Sequence, residues 1–192
     1  HHARTYLARM CYAKRMGETN ILVAGASGYI GRALLERLRQ TAPEARLWAI
    51  SRTEQNIPGV KSVPCDLFSA RSVEEAFPKQ IDIAYYLVHS MGPTAALDQG
   101  SFADYDLLLA HRFASAVKAR GARRVVYLGG LIPEGEGVQG EVLSAHLESR
   151  REVESVLLGH GLETVIFRAG LILGDRGSSF QILLKLVARL PV

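Results

Sequence analysis

Gly25-Ala-Ser-Gly-Tyr-Ile-Gly31 decides how this 192-residue chain is read. The apolar run Ile21-Leu22-Val23-Ala24 precedes it and has the length and composition of a buried parallel strand. Tyr29 to Leu38 follows, with Ile30, Leu34, Leu35 and Leu38 at helical spacing. A strand, a glycine turn and a helix in that order form a context that holds phosphate. The first glycine permits a tight turn, the second lets backbone approach a pyrophosphate, and the third lets helix pack close to strand. The bare N–H groups of Ser27, Gly28, Tyr29, Ile30 and Gly31 at the helix start would then hold the anion.

Outward from that loop the chain alternates. Strands are expected at Arg46–Ile50, Val60–Val63, Ile83–Val88, Arg124–Leu128 and Glu163–Arg168. Helices are expected at Arg71–Phe77, Ser101–Arg120, Val142–Leu158 (closed by Gly159 or Gly161) and Ser178–Arg189. Strands separated by helices pair in parallel through right-handed crossovers. The expected fold is therefore α/β, a doubly wound parallel sheet in the order 3-2-1-4-5-6. There are no internal repeats and no low-complexity linker.

The net charge of +4 invites a nucleic-acid reading, but the excess is local. Arg4, Arg9, Lys14 and Arg15 lie in a leader, residues 1–15, that holds no acid; without those four, the 23 basic residues fall to 19, equal to the acidic ones. A neutral body gives nucleic acid little to bind. The leader has no apolar run long enough for a signal peptide or a membrane span. It reads as an upstream extension or expression remnant, with an organellar presequence as the other reading. Residues 16–192 read as one dinucleotide-binding domain. Cys11 and Cys65 form no metal or redox spacing, which fits a reduced, cytoplasmic setting and no metal site.

The end of the second strand discriminates between dinucleotides. A carboxylate there bonds the ribose 2′-hydroxyl, whereas an arginine accommodates a 2′-phosphate. Here the strand ends Ile50-Ser51-Arg52-Thr53, with no carboxylate before Glu54. Ser51 can donate to a phosphate, and Arg52 can pair with it through a charge-assisted fork. Arg32, directly after Gly31, is a second clamp, so NADP is expected and NAD remains open. The bland reading leaves both arginines as solvated surface residues; the phosphate reading is preferred.

The spacing G-x-x-G-x-x-G resembles the short-chain dehydrogenase/reductase superfamily, in its extended and atypical branches. The resemblance extends to Tyr85-Tyr-Leu-Val-His-Ser-Met-Gly92, Val126-Tyr-Leu-Gly-Gly-Leu131, Ser144-Ala-His-Leu-Glu-Ser-Arg150 and Phe167-Arg-Ala-Gly-Leu-Ile172. Together these resemble NAD(P)H-binding, NmrA-like proteins, in particular a bacterial group of nucleoside-diphosphate-sugar-epimerase-like proteins that lack the catalytic Tyr. The resemblance runs from about Asn20 to the C-terminus. It implies a Rossmann domain that would normally continue into a C-terminal substrate region, absent from this chain. It implies adenine contact by Asp66 and Leu67, although Asp66 could equally cap the helix near Ser69. It places Val88, His89 and Ser90 under the ribose and nicotinamide, with His89 either touching substrate or merely ending a strand. The superfamily usually has a Pro near Ala169, and that departure weakens the amide contact implied for Leu171 or Ile172.

Such reductases transfer hydride with a Tyr-x-x-x-Lys pair on one helix and a Ser after the preceding strand. Aligned on this chain, the Tyr position is His146, the Lys position Arg150, and the Ser position falls in Gly129-Gly130. Helical periodicity puts His146, Ser149, Arg150, Val153, Val156 and Leu157 on one face, toward the sheet. It puts Glu148, Arg151, Glu152 and Glu154 on the other. A His and an Arg on a buried face need a polar partner or a ligand. The bland reading is a structural ion pair. The functional one makes His146 the acid/base and Arg150 the holder of a ribose or an anion.

Three functions compete: an NADP(H)-dependent reductase or epimerase with unorthodox catalytic residues, a dinucleotide-binding module that reports redox state to a protein partner, and a scaffold. The intact glycines argue against the scaffold. The substrate is unspecified, and a homodimer stays open.

Overall fold

The computed structural model describes residues 19–89, 99–131, 145–170, 172–174, 178–187 and 189; the side chains of 99–103, 145, 146, 178, 179, 183 and 186 lie outside that description. The strands are β1 (Asn20–Ala24), β2 (Arg46–Ser51), β3 (Val60–Pro64), β4 (Ile83–Tyr86), β5 (Arg124–Gly130) and β6 (Glu163–Ala169). The helices are α1 (Tyr29–Thr41), α2 (Ala70–Ala76), α3 (Gln99–Ala119), α4 (Ala145–Gly159) and α5 (Ser178–Val187). The six strands form one sheet in the order β3-β2-β1-β4-β5-β6, every pairing parallel. The order reverses between β1 and β4, the place where open α/β sheets bind ligands at their carboxyl ends.

Every residue of β1 is buried, so both faces of that strand are covered. Leu22 and Ala24 face the larger core, shared with Val73 of α2, Phe113 and Val117 of α3, and Val153 and Leu157 of α4. Ile21 and Val23 face a smaller one with Leu35 and Leu38 of α1 and with Leu47 and Ala49 of β2. Phe113 anchors the larger core, fully buried with its ring 6.1 Å from Phe77 and 4.8 Å from Tyr86. Burying a side chain of that size contributes roughly 1.5–3 kcal/mol.

The expected elements differ from the observed ones only at their ends. β4 stops at Tyr86, so Val88 and His89 are already in the loop. Helix α4 is described from Ala145, and the earlier start expected at Val142 lies outside the described residues. Among the described residues no helix is long and apolar enough to cross a membrane.

Candidate functional site

The glycine loop leaves β1 at the carboxyl edge of the sheet. Gly25 has φ +87°, a conformation L side chains rarely adopt, and an added Cβ would lie 2.6 Å from the Leu87 carbonyl oxygen. The Gly25 and Ala26 N–H groups both donate to the Ile50 carbonyl, at 3.0 and 3.2 Å, which ties the loop to the end of β2. At Gly31 a Cβ would collide with the Gly25 carbonyl and sit 2.9 Å from Ala26 Cα. Gly28 differs: its φ is −71°, and among the described residues a Cβ there would meet the Gly25 oxygen alone, at 3.3 Å. The chain itself therefore requires Gly25 and Gly31 but leaves Gly28 free. Helix α1 has Gly28 as its N-cap, no side-chain cap and no acidic residue in its first turn. The Gly28 N–H, expected to be bare, donates instead to the Gly25 carbonyl at 3.1 Å, and no side chain caps the N–H groups that follow it. Ser27, Gly28 and Tyr29 are exposed and Ile30 is half-buried. The Tyr29 phenol reaches Gly174, beyond β6, so two segments meet beside the loop.

On the β2 side, Ser51 is buried, and its hydroxyl donates to the Thr53 carbonyl at 2.6 Å. That proton is committed to the turn, so Ser51 does not present the outward donor expected of it; only its oxygen remains to accept. Arg52 is exposed. Arg32 Nη2 donates to Gln55 Oε1 at 2.9 Å, which brings the two arginine-bearing segments to one corner of the site.

The β3–α2 loop carries Asp66 and Leu67. Asp66 Oδ1 accepts from the Phe68 N–H at 2.9 Å, and the helix cap is Ser69, whose hydroxyl accepts from the Ser72 N–H at 3.2 Å. The capping role left open for Asp66 therefore belongs to Ser69. Arg112 of α3 pins this loop, donating to the Leu67 carbonyl at 2.9 Å and to the Phe68 carbonyl. Phe68 also meets Tyr105 edge-on at 5.5 Å. Burial pushes the neighbouring Cys65 thiol up.

The crevice beyond β4 and β5 is polar and mostly buried. Arg150 of α4 is 7% exposed; its Nη1 lies 3.1 Å from His89 Nε2 and 3.5 Å from the Tyr127 hydroxyl, and its Nε is buried with no partner. An arginine only donates, so His89 Nε2 accepts and the ring proton sits on Nδ1. Burial raises the Tyr127 phenol above its ordinary value, and the Arg150 hydrogen bond draws it partly back. Burial raises Tyr86 further, helped by Asp106, and its hydroxyl has no hydrogen-bond partner. Ser149 ties α4 to α3 through a 3.1 Å bond to Asp106 Oδ2. Ser90 and Leu171 lie outside the described residues, as does the His146 side chain, although its backbone is in the first turn of α4. Ala169 ends β6 and accepts from the Leu131 N–H at 2.9 Å, and Ile172 is half-buried.

One helix position departs from the periodic reading. Glu154 is not on the outer face but 3% exposed, and its carboxylate takes three bonds of 2.8–3.2 Å from Arg168 of β6. Gly129 makes the room: a Cβ there would lie 2.8 Å from Glu154 Oε1. At Gly130 a Cβ would be 3.0 Å from Leu147 Cδ2. The residues that the sequence did not single out are thus Gln55, Arg112, Glu154 and Arg168. The only local hint was a charged residue one position from the apolar Val153.

No curated protein matches the sequence. Among solved structures, the Bordetella bronchiseptica enzyme WbmG in complex with NAD superposes with a TM-score of 0.70 at 16% identity, over 89% of this chain and 60% of that one. A short-chain dehydrogenase/reductase superfamily protein from Agrobacterium tumefaciens with bound NAD gives 0.63 at 21% identity, over 78% and 48%. The ADP-L-glycero-D-manno-heptose-6-epimerase of Helicobacter pylori gives 0.64 at 14%, over 80% and 55%. At these identities the likeness carries the fold. The chain spans between 48% and 60% of the length of these structures. The sequence itself matches the family described as NAD dependent epimerase/dehydratase over residues 21–181, most of the described strands and helices. On that match the chain belongs to the NAD-dependent epimerase/dehydratase family.

Proposed function

We propose that the protein binds NADP(H) along Gly25–Gly31, with Arg32 and Arg52 at the 2′-phosphate, and works as a reductase or sugar-nucleotide epimerase in which His146 and Arg150 stand where related enzymes have Tyr and Lys. The cradle fits a dinucleotide, because Gly28 is a glycine that the fold does not need and α1 begins uncapped. Asp66 and Leu67 would meet the adenine, and Val88, His89 and Ser90 the ribose and nicotinamide. A bound nicotinamide supplies or accepts hydride; the chain must orient it, exclude water and move the matching proton. Sugar nucleotides are the substrate class that the family suggests.

The observation that carries this reading is Arg150. Its two hydrogen bonds go to an imidazole and a phenol, neither of them an anion, and its Nε has no partner. Burying a cation on such terms is costly unless a ligand oxygen completes its shell. Arginine does not give up its proton, so Arg150 holds and orients while His146 serves as the acid/base.

A second reading, a dinucleotide-binding module that reports redox state to a partner, is favoured by Gly129. The alignment puts the reductase serine at Gly129-Gly130, and Glu154 already fills the space beside Gly129. Turnover separates the two. With NADPH and a panel of carbonyls and UDP-sugars, the enzyme reading expects oxidation or epimerisation that His146→Phe lowers while NADPH affinity holds. An active enzyme indifferent to His146, or tight binding with no turnover in the complete protein, assigns the module role. NADPH should bind about tenfold or more tighter than NADH, the worth of one charge-assisted pair. An Arg52→Ala variant with unchanged preference would remove Arg52 from the reading.

A further inference from the structure

Gln55 is polar, 9% exposed and outside the sequence stretches quoted above, yet its side chain makes four contacts at the corner between β2 and α1. Its Nε2 lies 3.0 Å from the Thr53 carbonyl, 3.1 Å from Thr53 Oγ1 and 3.1 Å from the Glu54 carbonyl. Its Oε1 accepts from Arg32 Nη2 at 2.9 Å, and its backbone N–H donates to Ser62 Oγ at 2.8 Å. The amide orientation is fixed by two carbonyls and an arginine. Flipped, its oxygen would face the Thr53 and Glu54 carbonyls, which only accept, and its NH₂ would face an arginine that only donates. Ser51 Oγ donates to the same Thr53 carbonyl, so one side chain and one hydroxyl fix the whole turn after β2.

Two consequences follow for Arg32. An exposed arginine on the first turn of a helix ordinarily samples many rotamers, and ordering it at the moment of binding opposes affinity. Gln55 holds it in place beforehand, using one of five N–H donors and leaving the others for a ligand. The anchor is also neutral. A carboxylate at this position would form an ion pair and cancel the charge, whereas an amide oxygen orients the guanidinium and leaves its charge available.

We propose that Gln55 is a positioning residue that determines dinucleotide specificity, by presenting Arg32 and the Ser51–Thr53 turn to the 2′-phosphate of NADP(H). The proposal rests on the NADP(H) reading above, and the experiment separates the two. Dissociation constants for NADPH and NADH are measured by fluorescence titration on the full chain, together with thermal midpoints, for wild type, Gln55→Met, Arg32→Ala and the double variant. Arg32→Ala should lose about tenfold of the NADPH preference, the size of one hydrogen bond to a charged group. Gln55→Met should lose a large part of that factor with NADH affinity nearly unchanged, and the double variant should lose no more than Arg32→Ala alone. Gln55→Glu, of the same size, keeps the question decidable if Gln55→Met does not fold; it should lower the preference at least as far. Wild type with no preference for NADPH overturns the NADP(H) reading and this proposal together. A wild-type preference that Gln55→Met and Gln55→Glu leave unchanged overturns this proposal alone. So does equal weakening of both dinucleotides, the mark of a purely structural residue, or a double variant whose loss is the product of the two.

Discussion

Gly28→Val and Gly31→Ala should fail in opposite ways, although both change a glycine of the same loop. At Gly28 the backbone, φ −71° and ψ 164°, is open to any residue, and among the described residues an added Cβ touches the Gly25 oxygen alone, at 3.3 Å. Replacing a glycine N-cap by valine costs about 1 kcal/mol of helix stability. Restricting the unfolded chain returns about 0.4–1 kcal/mol. The net shift in Tm for a chain of this size is then under about 4 °C. Binding is another matter, since on the proposed function the two methyls would stand where the pyrophosphate approaches the start of α1. Loss of a single hydrogen bond to a charged group is about 1.5–3 kcal/mol, which is roughly tenfold to a hundredfold in Kd. Gly31→Ala reverses this order. Its Cβ presses on Ala26 Cα at 2.9 Å and on the Gly25 carbonyl, in backbone already pinned to Ile50. Overpacking against fixed backbone costs about 1–3 kcal/mol or more, so Tm should fall by several degrees before any ligand is added. Thermal unfolding and NADPH titration on the two variants form the assay. A folded Gly28→Val protein that binds NADPH as wild type does would refute the division of roles, as would a Gly31→Ala protein of undiminished Tm.

Tyr86→Phe should leave the protein as stable or up to about 1 kcal/mol more stable, because it removes a buried hydroxyl that has no partner; a clear loss of stability in denaturant titration would show that the hydroxyl is bonded after all. Burial raises Tyr86, Tyr127 and Cys65 above their ordinary values, so the folded state holds protons that the unfolded state releases. Their contribution is complete below the unfolded values and is lost as pH rises, so unfolding free energy should decline from about pH 9 upward, more shallowly in Tyr86→Phe than in wild type. Gly129→Ser should destabilise the fold by about 1–3 kcal/mol, since its Cβ must displace a carboxylate held by Arg168; an unchanged Tm would mean that Glu154 swings aside freely.

The fold was open to reading because its signals are local. Apolar runs such as Ile21–Ala24, mostly followed by a helical period (β2 and β3 are joined by a loop alone), point to parallel pairing, and crossover handedness then orders the strands. The loop was readable for the same reason. What escaped was set by partners distant in sequence. Glu154 reads as a solvated charge until Arg168, 14 residues away on β6, is laid against it. Arg112 reads as one more helix surface charge, yet its acceptor is 45 residues away. Gln55 sits in a loop without periodicity, and only the turn geometry shows that its amide has four partners. The direction of the Ser51 hydroxyl was likewise hidden, because it is set by the nearest carbonyl, here two residues on.

Arg150 and Glu154, one helical turn apart, explain why the crevice can keep a charged face against a sheet. Glu154 is answered by Arg168 within the protein, and Gly129 gives the pair its space. Arg150 is answered by a phenol and an imidazole that cannot neutralise it. Helix α4 therefore closes one buried charge internally and gives the next only uncharged partners, which is what the proposed function builds on. A lysine at 150 would carry its three donors on a flexible stem with no fixed plane, so bonds to Tyr127 and His89 would not set the direction of the remaining donor. In the planar guanidinium, two bonds made from Nη1 fix the direction of Nε and Nη2 as well. The fixed direction of its bonds also dictates the His89 tautomer, so the crevice is organised outward from Arg150 before any ligand binds. The enzyme and redox-reporting readings both call on that organisation at the proposed nicotinamide end. They part only at whether a proton then moves.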